Sequence, residues 1–77
     1  GAAGSIKVEA GAAGKIFKVE ANVGQAVKKG DAVIILEAMK METTVVSTVN
    51  GKVDKIYVKE GEQVNQEDLL ISFEIDE

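Results

Sequence analysis

Cysteine, histidine, proline, tryptophan and arginine are all missing from this 77-residue chain. Without cysteine there is no disulfide framework. Without cysteine or histidine the usual thiolate and imidazole metal sites are excluded, and the chain is indifferent to the redox state of its surroundings. Aromatic residues are reduced to one Tyr and two Phe, and nine lysines face thirteen acidic residues for a formal net charge of -4. A phosphate-binding surface needs clustered cations, with aromatic platforms if the nucleic acid is single-stranded. Here Lys7, Lys18, Lys55 and Lys59 are interleaved with Glu9, Glu20, Asp54 and Glu60, the pattern of a solvated mixed-sign surface. Nucleic acid is therefore not an expected partner. No apolar run approaches the roughly 18 residues of a membrane span, so membrane insertion is not expected either. No basic, apolar leader argues for export, and the expected location is cytoplasmic, free or in a complex at the inner face of a membrane. An independent enzyme is disfavoured, since the chain is too small for a deep pocket and no spacing singles out a carboxylate pair for acid-base work.

What the chain does have is apolar residues, 45% of the total, enough to build one small domain. A domain of this size buries only about 60% of its unfolded-chain surface. Residues 1–5 read as a linker remnant or a chain end, and 6–77 as the domain. Ile6 to Glu9 alternates apolar and polar residues, the period of a half-buried strand. Lys15 to Ala21, Gln25 to Val27 and Asp31 to Leu36 follow as strands separated by glycine-containing turns, and Thr43 to Val46 reads as another.

The same plan then starts again. Shifting the sequence by 37 positions sets Gly14, Lys15, Lys18, Gly24, Val27, Asp31, Ile34 and Glu37 on identical residues, eight identities in the 25 positions from 14 to 38. Two repeats are too few for a solenoid, and each alone leaves an apolar face exposed. The expected solution is two interlocked halves related by a pseudo-two-fold axis. The predicted fold class is all-β: a flattened eight-stranded barrel-sandwich of two antiparallel sheets, with the chain termini meeting at one end. Alternation in the last strand puts Leu69, Ile71, Phe73 and Ile75 inward and Leu70, Ser72, Glu74 and Asp76 outward. By the repeat, Ala32, Ile34, Leu36 and Ala38 face inward in the first half. Val8, Ile16, Val19, Val27, Val45, Val53, Ile56 and Val64 complete the expected core. Gly14, Gly24, Gly51 and Gly61 read as backbone permits for turns and bulges.

Midway between the halves lies Glu37-Ala38-Met39-Lys40-Met41-Glu42. The strands on either side demand a tight turn at Met39-Lys40. A two-residue hairpin turn needs positive φ and favours Asn-Gly or Asp-Gly, yet no Gly or Asn is in reach. Local turn chemistry has yielded to another requirement, as happens at functional sites. A lysine at a protruding turn is an ammonium at neutral pH, which makes it a poor catalyst. It is a good substrate, because the turn fits into the active site of another enzyme that supplies base and activated acyl group. Exposed Met39 and Met41 offer adaptable contacts, and Glu37 and Glu42 offer charge for selecting a partner.

Ala38-Met39-Lys40-Met41 resembles the Ala-Met-Lys-Met signature of biotin carboxyl carrier domains, and the likeness extends to Gly and Val positions along nearly the whole chain. The resemblance implies that Lys40 receives biotin through an amide bond made by a biotin protein ligase, with Ala38, Met39, Met41, Glu37 and Glu42 around it for recognition. It further implies a monomeric carrier, not an enzyme, that moves a carboxyl group between a biotin carboxylase and a carboxyltransferase or decarboxylase. The offset of 37 holds without a gap, leaving no room for the protruding loop of some carriers. The chain therefore resembles the thumbless type of acyl-CoA, pyruvate or oxaloacetate carboxylase, decarboxylase and transcarboxylase systems, with its arm in solvent. Two alternatives remain. A lipoyl carrier resembles Asp-Lys-Ala at its lysine, and an unmodified barrel-sandwich interaction module usually holds an inserted helical hairpin at the tip. The family often has proline where this chain has Gly11 and Thr48, themselves 37 apart. Losing it costs about 0.4 to 1 kcal/mol per site wherever the native geometry suits proline.

Overall fold

The computed structural model describes residues 4–75, so part of the 1–5 lead-in, together with Asp76 and Glu77, lies outside the described residues. Eight strands follow one another: β1 (Ser5–Glu9), β2 (Gly14–Val19), β3 (Ala26–Val27), β4 (Ala32–Ala38), β5 (Met41–Val46), β6 (Gly51–Ile56), β7 (Gln63–Val64) and β8 (Leu69–Ile75). They form two antiparallel four-stranded sheets ordered β1-β8-β6-β3 and β5-β4-β2-β7. The expected all-β barrel-sandwich is the observed fold. β1 begins one residue before the expected Ile6, because Ser5 already pairs with Glu74. The first and last strands thus lie side by side, and the Ile75 N–H donates to the Gly4 carbonyl at 3.2 Å.

The repeat is written into the pairing. Ser5 to Val8 pair with Glu74 to Ile71, and 37 residues along each strand Glu42 to Val45 pair with Glu37 to Ile34. The β2–β4 and β6–β8 pairs match in the same way, down to bulges at Phe17 and Asp54. The core is built from pairs as well. Its twelve buried hydrophobic residues are Ile16 and Val53, Ala21 and Val58, Val27 and Val64, Val33 and Leu70, Ile34 and Ile71, Leu36 and Phe73, each pair 37 apart. Fully burying a side chain such as Leu, Ile or Phe contributes roughly 1.5–3 kcal/mol, and both halves contribute equally to one shared interior.

Strict alternation misassigns four positions. Ala32 and Leu69, both expected inside, are respectively exposed and half-buried outside the core cluster, while Val33 and Leu70 are 0% exposed. The cause is a matched pair of irregularities: the β4–β5 register skips Val33, and the β1–β8 register skips Leu70. A bulge inserts one residue and resets the face on which the following side chains fall. Ser72, expected outward, does point away from the core but is 1% exposed, covered by neighbours on the outer face. Val8, Val19, Val45 and Ile56 pack against the core while only partly buried.

The halves interlock at their turns. The Gly24 N–H donates to the Val53 carbonyl at 2.8 Å, and its counterpart Gly61 N–H donates to Ile16 at 2.7 Å. Each half closes its corner on a strand of the other.

The corners correct one expectation about proline. Gly11 has φ +77, a left-handed value that proline, fixed near -65°, does not reach. Its N–H also donates to the Gln66 carbonyl at 2.9 Å. The absent proline therefore costs nothing at Gly11 in this chain. Thr48 differs: its φ is not positive, its N–H makes no backbone hydrogen bond among the described residues, and the Ser47 hydroxyl fixes the corner by donating to the Val49 carbonyl at 2.6 Å. We expect Thr48→Pro to stabilise the domain by about 0.4–1 kcal/mol and Gly11→Pro to destabilise it by more than that. Urea titration of the two variants checks both signs.

Candidate functional site: the β4–β5 hairpin tip

Six cross-strand pairs carry β4 and β5 up to a two-residue turn, the last being Ala38 opposite Met41. The turn residues have φ 52 at Met39 and φ 64 at Lys40. Positive φ at both central positions is the type I′ geometry, whose twist matches the flanking strands. Each L side chain held in the left-handed region costs roughly 1–2 kcal/mol. Met39 and Lys40 are the non-glycine residues with positive φ among the described residues, so local strain is concentrated at this turn.

The tip stands clear of the body. Met39 is 93% exposed and Met41 70%, which places neither in the core, and Lys40, Glu37 and Glu42 are exposed too. Ala38 is half-buried. Glu37 and Glu42 lie directly opposite one another, a like-charge pairing that disfavours the hairpin. Lys15 on β2 lies across from Glu37 on its other side and offsets part of that repulsion.

Gly14 supports this region from below. It opens β2 instead of forming a turn, and a Cβ added there would overlap the Glu37 carbonyl oxygen and come within 3.2 Å of the Ala38 Cβ. The backbones of β2 and β4 approach that closely one residue before the turn. Gly14 thus does more than the turn-or-bulge role read from sequence. The available signal was its place at the head of a strand, repeated at Gly51. Gly24 and Gly61, by contrast, do occupy turns with positive φ, +87 and +88.

A primary amine on an open turn, flanked by two exposed thioethers and two carboxylates, has no base or nucleophile arranged to act with it. It has what an acceptor needs, which is access from solvent on a turn that its strands hold in one geometry. An acyl group with a long chain can be joined to such an amine by an amide bond without displacing any side chain of the body. Among the described residues no protruding loop accompanies the tip, since the two halves match in register without an insertion, and no helix is present.

Comparison with known proteins agrees with this geometry. The family model described as Biotin-requiring enzyme, of the biotin/lipoyl class, matches residues 5–73. Pyruvate carboxylase of Bacillus subtilis is 46% identical over 61 residues, 79% of this chain but 5% of that protein. The biotin/lipoyl attachment protein of the same organism is 42% identical over 59 residues, covering 77% of this chain and 81% of that one. Among solved structures, a single-chain, multi-domain long-chain acyl-CoA carboxylase superposes with a TM-score of 0.89 at 27% identity, over 96% of this chain and 8% of that one. The chain thus spans a small part of the carboxylases it matches and most of the small attachment protein. It belongs to the biotin-requiring-enzyme family, as a carrier domain of barrel-sandwich fold that bears biotin and is not itself the catalyst.

Proposed function

We propose that Lys40 is the residue joined to biotin and that the domain carries a carboxyl group between separate active sites. The observation that carries this reading is the turn itself: a lysine held at φ 64 at the exposed tip of a two-residue hairpin, between Met39 and Met41. The fold gains nothing from that choice, since glycine or asparagine there relieves the strain. An acceptor amine that another enzyme must reach explains why lysine is kept.

In this reading the residues divide the work. Lys40 Nζ forms the amide, which removes its charge. Met39 and Met41 give the ligase soft apolar contacts, Glu37 and Glu42 give it a charged rim, and Ala38 keeps the last pair of the hairpin narrow. Biotin, when attached, supplies a ureido nitrogen that accepts and gives up a carboxyl group. The sandwich holds Lys40 at a fixed height above Gly14, and tethering raises the local concentration of the group at every site the tip reaches. Among the described residues no loop stands beside Lys40, and in this reading the arm extends into solvent. The partners are a biotin protein ligase, then a biotin carboxylase and a carboxyltransferase or decarboxylase, with the isolated domain monomeric and the location cytoplasmic. The carboxylase names of the relatives, together with Met39 and Met41 at the tip, favour this reading over a lipoyl carrier.

Co-expression with a biotin protein ligase and measurement of intact mass provide the test. One biotin per chain is expected, located by peptide mapping to Lys40. A chain that gains no mass, or gains it at another lysine, overturns the assignment.

A further inference from the structure

Because the fold is built twice, each sheet face has a counterpart on the other sheet, and a surface residue that departs from its counterpart is not explained by the fold alone. The two outer faces depart most at their centres. On the β6–β8 side, Ser72 lies between the core residues Ile71 and Phe73 and so points outward, yet it is 1% exposed. Its hydroxyl donates to Asp54 Oδ2 at 3.1 Å, and the Tyr57 hydroxyl lies 3.5 Å from it. That face is closed by its own polar side chains. At the equivalent places on the β2–β4 side the offset of 37 sets Ile35 for Ser72, Phe17 for Asp54 and Glu20 for Tyr57. Ile35 is half-buried on the outer face, and Phe17, the bulged residue of β2, is 52% exposed. A polar cover on one sheet is an open apolar pair on the other.

The asymmetry extends along the sheet that bears Lys40. Six large hydrophobic residues are exposed among the described residues, and four of them, Phe17, Met39, Met41 and Val46, belong to this sheet or its turn. The remaining two lie outside the strands, Val23 in the turn between β2 and β3 and Tyr57 just after β6, where its hydroxyl has a partner. A shallow groove lined by Lys15, Phe17, Glu37 and Gly61 connects the aromatic ring to the base of the tip.

The structure assigns to this outer face, centred on Phe17 and Ile35, the docking of the ligase that acylates Lys40. The assignment rests on the reading of Lys40 as the attachment residue. Continuity supports it: Phe17 and Ile35 lie one step below the cross-strand row of Lys15, Glu37 and Glu42, which in turn lies below the turn. A protein that takes the turn into its active site lies over one flank of the hairpin, and on this flank the apolar pair lies just beyond the charged row. Charge supports it too: the intervening row holds two carboxylates against one ammonium, and Lys18, in register with Ile35, is itself paired with Glu20 at 3.5 Å. The occupant presents cationic side chains over that row and an apolar projection to Phe17. The ligase is the partner with the greatest need of such a face, because it meets the carrier before any cofactor is attached and must bind by the protein surface alone. An exposed aromatic anchor with a charged rim is the composition from which binding hot spots are made.

The test exchanges the faces. Phe17→Asp with Ile35→Ser gives the tip-bearing sheet the residues that the other sheet already carries at the equivalent places. Phe17→Lys alone serves as a second variant that leaves the sheet interior untouched. Initial rates of biotin incorporation by a biotin protein ligase, with biotin and ATP saturating, are measured against carrier concentration. We expect KM to rise by about tenfold or more, the level of a single binding hot spot, with kcat little changed. Tyr57→Ala, which removes the exposed aromatic beside the other sheet, should leave KM as it was. Wild-type KM in the Phe17 variants, or an equal rise in Tyr57→Ala, overturns the docking assignment and leaves Lys40 as the attachment site. Absence of biotin on the wild-type chain itself overturns both.

Discussion

Lys40→Arg is expected to take up no biotin at all, while its melting midpoint stays within a few degrees of the parent. The guanidinium is no substitute for an amine as acyl acceptor, because its nitrogens are delocalised and stay protonated. The fold has no reason to respond. Both residues are long L side chains with the same penalty at φ 64, and the position is exposed. Surface substitutions of this kind stay within about ±0.5 kcal/mol. Streptavidin blotting and intact mass after ligase treatment, alongside a thermal melt, separate the two effects. A Lys40→Arg chain that still gains biotin places the attachment on another of the nine lysines.

Gly14→Ala should give the opposite result, damaging the body before the chemistry. The added Cβ collides with the Glu37 carbonyl and crowds Ala38 Cβ at 3.2 Å. The obstacle is mostly backbone, which has no rotamer by which to yield. Overpacking of this sort costs about 1–3 kcal/mol, and in a domain of 60–100 residues each kcal/mol lowers the melting midpoint by roughly 4–8 °C. A fall of about 10 °C is expected, with slower biotin incorporation because the β2–β4 contact that fixes the tip has opened. A melt indistinguishable from the parent shows that the strands separate there without cost. The proline exchange at Thr48 acts elsewhere, and its effect should add to this one.

Much of this was legible in the sequence because the chain states its plan twice. The offset of 37 located both members of pairs such as Ile16 and Val53, or Val27 and Val64, and the conflict between Met39-Lys40 and ordinary turn chemistry located the tip. What stayed hidden depends on backbone spacing that no residue type reports. Ala32 and Val33 exchange faces because a bulge intervenes, and the sequence shows an apolar residue at either position. Gly14 resembles any turn glycine until the Glu37 carbonyl is seen against it. The sign of the proline effect at Gly11 follows from a φ angle. Ser72 is buried by neighbours contributed from another strand, which alternation within its own strand does not register.

Two strand pairs with the same geometry, β4–β5 and β8–β1, close loops of very different size. The first is joined by two residues, and the second joins the two ends of the described chain. Closure entropy grows with the logarithm of loop length, about 0.6 kcal/mol for each doubling, and pairings between distant residues slow folding. The central hairpin is therefore the cheaper of the two to nucleate, even with two left-handed residues at its turn. The β1–β8 pair is expected to form after the intervening strands have ordered. Residues Met39 and Lys40 thus bear on folding rate as well as on the proposed attachment, and relaxing their strain is expected to quicken the first step of assembly at the expense of the amine proposed as the acceptor.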